Sequence, residues 1–212
     1  MEEKKYRLFF TKKGNIKYIS HLDLTKVFIR AFFRADLHLK HSEGFTPHPK
    51  ISFELPLSVG MESNCESCDF TLSCAENTDD ISERLNKQLP LGISITECIE
   101  VGEKLPKAKM AEYIIKFFNI SQNEVSEIQN LLSKEIIINK RTKKGFLLTD
   151  ITEKIKSIEY KLEGKDLVLK TLLPCAGDDY LNPEYICKFI CEKEKFKEKC
   201  KIYSIMRQKV YY

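Results

Sequence analysis

Tyr6, Leu8 and Phe10 alternate with Arg7, Phe9 and Thr11, a period of two that predicts a half-buried strand, and Lys13-Gly14-Asn15 follows with turn chemistry. The period then changes. Leu24, Val27, Phe28, Ala31, Phe32 and Ala35 recur every three or four residues, which predicts a helix with one buried stripe. Ser20 stands before it as N-cap, with Asp23 in the capping-box position. Lys26, Arg30 and Arg34 fall on another face of the same helix, aligned toward solvent.

Further along, Leu37–Lys40 leads into a Gly/Pro loop over Ser42–Pro49, and strands are expected at Ile51–Glu54 and Asp69–Ser73. Thr78-Asp79-Asp80 predicts the start of a helix over Ile81–Leu89, stopped by Pro90-Leu91-Gly92, and Ile93–Glu100 alternates as a closing strand. This β-α-β-β-α-β order is that of the ferredoxin-like split βαβ unit, two helices on one face of an antiparallel sheet. Beyond a Lys/Pro segment at Gly102–Lys109, suited to a linker, the order recurs. Strands are expected at Tyr113–Ile120, Glu135–Asn139, Phe146–Asp150, Ser157–Leu162, Asp166–Leu172 and Lys201–Met206, with helices at Asn123–Ser133 and Pro183–Cys191. The expected class is therefore α+β, two tandem ferredoxin-like sandwiches. One spans 1–104, and the other spans 110–212 and carries an extra hairpin.

Composition fits an ordinary folded chain: of 212 residues 42% are hydrophobic and 31% charged, with few Gly and Pro. No run reaches the roughly 18 apolar residues of a membrane span, and the start of the chain lacks an export signal, so a cytoplasmic protein with no membrane partner is expected. The eight cysteines are then reduced thiols. Charge is uneven. Residues 1–50 hold 11 Lys/Arg against 5 Asp/Glu together with all four histidines, while 51–105 hold 3 against 11. A basic excess of that kind attracts polyanions.

The loop His41-Ser42-Glu43-Gly44-Phe45-Thr46-Pro47-His48-Pro49-Lys50 stands apart. Pro47 and Pro49 fix φ and bias Thr46 and His48 toward extended backbone, which holds an imidazole at a defined angle at low entropic cost. This loop, together with Tyr18-Ile19-Ser20-His21-Leu22-Asp23-Leu24, Ile29–Ala35 and Ile51-Ser52-Phe53, resembles the signature of the radical-SAM-linked family, a domain of unknown function that accompanies radical SAM proteins. Lys140-Arg141-Thr142-Lys143-Lys144-Gly145-Phe146 and the residues to Ile151 resemble its second block. The first block also resembles the N-terminal half of RAMP-type CRISPR RNA endonucleases, tandem ferredoxin-like proteins in which a histidine takes the proton from a ribose 2′-hydroxyl.

Taken with the basic segments, the resemblance implies an RNA-binding accessory protein. It would work with a separate radical SAM protein or ribonuclease on tRNA or rRNA. In that reading Arg30, Arg34, Lys50, Lys140, Arg141, Lys143 and Lys144 position phosphates, and Ser20, His21, Asp23, Gly44, Phe45, His48 and Asp150 complete the site. A metal-independent endoribonuclease with His21 or His48 as base is the alternative, and a protein adaptor using the acidic stretch 51–105 is a third. No phosphate-binding glycine motif is present, the three-cysteine motif of a radical SAM barrel is missing, and Cys65-x-x-Cys68 has no convincing second pair. Neither a cofactor nor a metal is expected.

Overall fold

The alternating residues Tyr6, Leu8 and Phe10 lie fully buried on one face of strand β1 (Lys4–Lys12), and the helical stripe buries Leu24, Phe28, Ala31 and Phe32 along α1 (His21–Arg34). These surfaces meet. Phe28 packs on Phe10 with ring centroids 4.9 Å apart, and Phe32 packs on Phe70 at 4.7 Å. Each fully buried ring contributes roughly 1.5–3 kcal/mol.

The computed structural model describes residues 3–102, 107–142 and 145–212, apart from the side chains of 141, 142 and 178. It divides into two compact units, Met1–Lys107 and Ala108–Tyr212. Half of the expected linker, residues 103–106, lies outside the described residues. Both units are α+β.

In the first unit β2 (Ile51–Phe53), β3 (Glu62–Leu72), α2 (Thr78–Asn86) and β4 (Ile93–Glu100) follow α1. The sheet order is β4-β1-β3-β2, every neighbour antiparallel. Strand β3 begins seven residues before the expected Asp69. Its first half, Glu62–Ser67, is polar and is interrupted by an irregularity where Phe10 opposes Glu66 but Lys12 opposes Ser63. A bulge of this kind breaks the period of two that marks a strand in sequence. The cap of α2 also differs from expectation: Asn77, not Thr78, accepts from the backbone of Asp79 and Asp80, at 2.9 and 3.2 Å. Its end comes at Asn86, whose side chain bonds the backbone of Ile95 in both directions. Gly92 has φ +96, and a Cβ there would meet the carbonyl oxygen of Lys13 at 2.3 Å, so only glycine fits this turn.

The second unit runs β5 (Met110–Phe117), α3 (Gln122–Leu132), β6 (Ile137–Thr142), β7 (Gly145–Asp150), β8 (Ser157–Glu163), β9 (Asp166–Pro174), α4 (Glu184–Cys191) and β10 (Tyr203–Tyr211). Its sheet has the order β10-β5-β9-β8, again antiparallel, and β6 pairs with β7 as a separate ribbon. Strand β10 continues five residues past the expected Met206. The charged Arg207 hides it, because that side chain is buried with its guanidinium over the Tyr113 ring. Among the described residues no helix is long and apolar enough to cross a membrane.

Candidate nucleic-acid interface

The expected site residues divide between the units, Ser20 to Lys50 in the first and Lys140 to Asp150 in the second. Ser20 is the N-cap of α1: its hydroxyl accepts from the Asp23 amide at 3.1 Å and donates to the Asp23 carboxylate at 2.7 Å. The Ser20 bond, and then Lys26, hold the Asp23 carboxyl below its ordinary range. Both residues are accounted for by starting the helix. His21, the first helical residue, sets its ring edge-on to Phe53 at 5.4 Å.

The 42–49 loop is closed at its base. His41 bridges to Pro49, the Ser42 amide donates to the His48 carbonyl at 2.8 Å, and the His48 amide donates to the Ser42 hydroxyl at 3.0 Å. Gly44 takes φ +122 at the tip, where a side chain would strain the turn, and Phe45 beside it is fully exposed. His21 contacts Phe53 at the end of β2, whereas His48 precedes the start of that strand and is tied through its backbone to Ser42.

The two arginines on α1 differ. Arg34 bonds the side chain and carbonyl of Gln88, at 3.3 and 2.6 Å, whereas exposed Arg30 makes no ion pair among the described residues. Lys50 lies in a cleft of about 440 Å³ with Lys5, Ser52, Asp69 and Thr71 on its walls. The Lys5 and Lys50 side chains have no carboxylate partner among the described residues. Asp69 is occupied, since Arg7 grips it at 2.6 and 2.9 Å and also reaches Glu54 at 3.0 Å. Two cations thus share the cleft with two hydroxyls and a carboxylate that Arg7 already holds.

Sequence reading missed Lys5. It sits on the face of β1 away from the core, opposite Thr71, and its nearness to Lys50 follows from strand order rather than from local pattern.

In the second unit Lys140 opposes Leu147 across the β6–β7 ribbon, and Phe146, Leu147 and Leu148 are exposed on it. Arg141 is described only as part of β6, and Lys143 and Lys144 lie outside the described residues. Asp150 accepts from the amide and hydroxyl of Thr152, at 2.8 and 2.6 Å, which lowers its pKa and makes it a turn residue. Phe117 is core. Cys68 faces the first unit's core, where burial raises its thiol well above the ordinary value, and Cys65 stands at the β3 irregularity. Among the described residues no three His, Cys, Asp or Glu side chains are placed to hold a metal.

No curated protein sequence matches this chain. Similar solved structures include an unknown protein from Galdieria sulphuraria, 11% identical with a TM-score of 0.30 over 96% of each chain. The acetolactate synthase small subunit from Thermotoga maritima is 9% identical, TM-score 0.25, over 98% of this chain and 94% of that one. A putative glycine cleavage system transcriptional repressor is 8% identical, TM-score 0.25, over 98% and 99%. Likeness this slight carries no functional content. Residues 5–183, most of the sequence, match the model of an uncharacterized protein conserved in bacteria (DUF2344), and the chain belongs to that family.

Proposed function

We propose that this protein binds RNA as an accessory module, presenting tRNA or rRNA to a separate enzyme. The observation that carries this reading is the cleft in which Lys5 and Lys50 stand together without carboxylate partners among the described residues, next to the closed loop bearing exposed Phe45 and His48. Unpaired cations seek phosphate oxygens, and an exposed aromatic ring is a stacking surface for an unpaired base. The strand order of each unit supports reading both as ferredoxin-like sandwiches, a frame that presents such loops at its edges. Association with a radical SAM protein or a ribonuclease rests on the resemblance of the first block.

The other readings have less support. A nuclease needs a base beside a cation, and His21 lies against Phe53 instead. The acidic stretch that an adaptor would use is largely engaged within its own unit: Glu54 and Asp69 by Arg7, Glu76 and Asp80 by Arg84, Glu83 by Lys87, and Glu100 by Lys4. Filter binding of total cellular RNA at 50 and 200 mM salt tests the proposal. Three or more phosphate contacts predict at least about a tenfold loss of affinity between the two conditions. Absence of binding, or binding indifferent to salt, contradicts it.

A further inference from the structure

At the C-terminal end of α1 lies a second cavity of about 440 Å³. Ile29, Phe32 and Phe33 of the helix form one wall, and Leu37 and Leu39 face it. Phe33 is 85% exposed, an apolar ring left at the rim. The polar residues that line the cavity are Asp36, His38, His41 and Ser73. We propose that this cavity takes a nucleobase carrying an exocyclic amino group, adenine, guanine or cytosine rather than uracil, an inference that rests on the RNA-binding reading of the adjoining cleft.

The mouth is rigidly built. Asp36 has φ +55, a left-handed conformation that a helix end holds when its carbonyls are claimed. Here the Asp36 and Leu37 amides donate to the carbonyls of Phe33 and Phe32, at 3.1 and 3.0 Å. Arg84 reaches across from α2 to donate to the carbonyls of Ala35 and Asp36, at 2.9 and 2.8 Å. The next residues are zipped onto β3: the Ser73 amide donates to the His38 carbonyl at 3.0 Å and the Lys40 amide to the Thr71 carbonyl at 2.8 Å. The Asp36 carboxylate stands 3.8 Å from the His38 ring. The backbone that carries Asp36 and His38 is therefore held in place before any ligand arrives, as a binding site requires.

Their chemistry selects the occupant. Apolar walls accept the flat faces of a base, and an imidazole can donate to or accept from its ring nitrogens and carbonyls. A carboxylate only accepts, so it favours an edge with amino hydrogens and repels the two carbonyl oxygens of uracil. Pro49 borders both this cavity and the Lys5/Lys50 cleft, which lets one strand place a base in the first and a phosphate in the second.

The test titrates the full chain with AMP, GMP, CMP, UMP and inorganic phosphate while following the ring signals of His38 and His41 by NMR. The three amino-bearing nucleotides should shift both rings with midpoints at least about fivefold below that of UMP, and phosphate alone should leave them in place. Asp36→Gly keeps the left-handed backbone while removing the carboxylate, and it should abolish the preference. Equal response to UMP in the unaltered protein, or no response to any base, overturns the inference. Filter binding of a mixed-sequence single-stranded RNA separates the sources. Selective monophosphate binding without RNA binding upholds the cavity as a free-nucleotide site and defeats the RNA reading, whereas salt-dependent RNA binding with silent histidines does the reverse.

Discussion

Lys12 is 1% exposed, and its hydrogen bond to the Lys17 carbonyl is long at 3.5 Å. Burial lowers its pKa below the ordinary 10.5, an effect that the Glu66 carboxylate partly offsets. An ammonium taken out of water disfavours its own charged state. In the window between the depressed folded value and 10.5 the unfolded chain binds more protons, so this residue makes the fold more stable as pH rises through that window. Replacing it by methionine removes the dependence. The stability of the unaltered protein minus that of Lys12→Met, measured by urea unfolding from pH 7 to 10.5, should increase with pH. The raised hydroxyl of Tyr113 and thiol of Cys98, both pushed up to about 12 by burial, act in the opposite direction in both proteins and cancel from the difference.

At the scale of elements, local chemistry decides where each begins and ends. Helix α3 starts with a full capping box: the Ser121 amide donates to the Glu124 carboxylate at 2.8 Å, while the Ser121 hydroxyl serves the helix in return. Lys199 also bonds Glu124, and together these partners bring its carboxyl down to about 2. A depressed carboxyl contributes stability that is present above its unfolded pKa near 4.5 and lost as pH falls toward 2. Glu124→Gln keeps the box but loses the charge. It should cost about 1 kcal/mol at neutral pH by thermal unfolding, with the gap closing between pH 4.5 and 2. Where one period holds, as in α1 and the core half of β1, sequence suffices to name the element. It fails in the first half of β3 and the last half of β10, where a bulge and a buried Arg207 interrupt the alternation although the backbone stays paired. The site divides in the same way. His48, Phe45 and Lys50 are conspicuous because proline and glycine gather around them. Lys5, Asp36, His38 and His41 become neighbours of a cleft or cavity only once β3 has drawn distant segments together.

For the molecule as a whole, the proposed RNA binding turns on cations that the fold leaves without carboxylate partners among the described residues. The acidic middle of the sequence is spent largely inside its own unit, through Arg7, Arg84, Lys87 and Lys4, and among the described residues Lys5, Lys13, Arg30, Arg34 and Lys50 of the first fifty are left without a carboxylate partner. The most direct measurement is the salt dependence of single-stranded RNA binding by the unaltered protein and by Lys5→Ala/Lys50→Ala. Neither side chain has an ion-pair partner among the described residues, so the fold should survive the change. Losing two phosphate contacts should flatten the plot of log affinity against log salt by about 1.4, with weaker binding at low salt. Identical slopes for the two proteins would contradict the account.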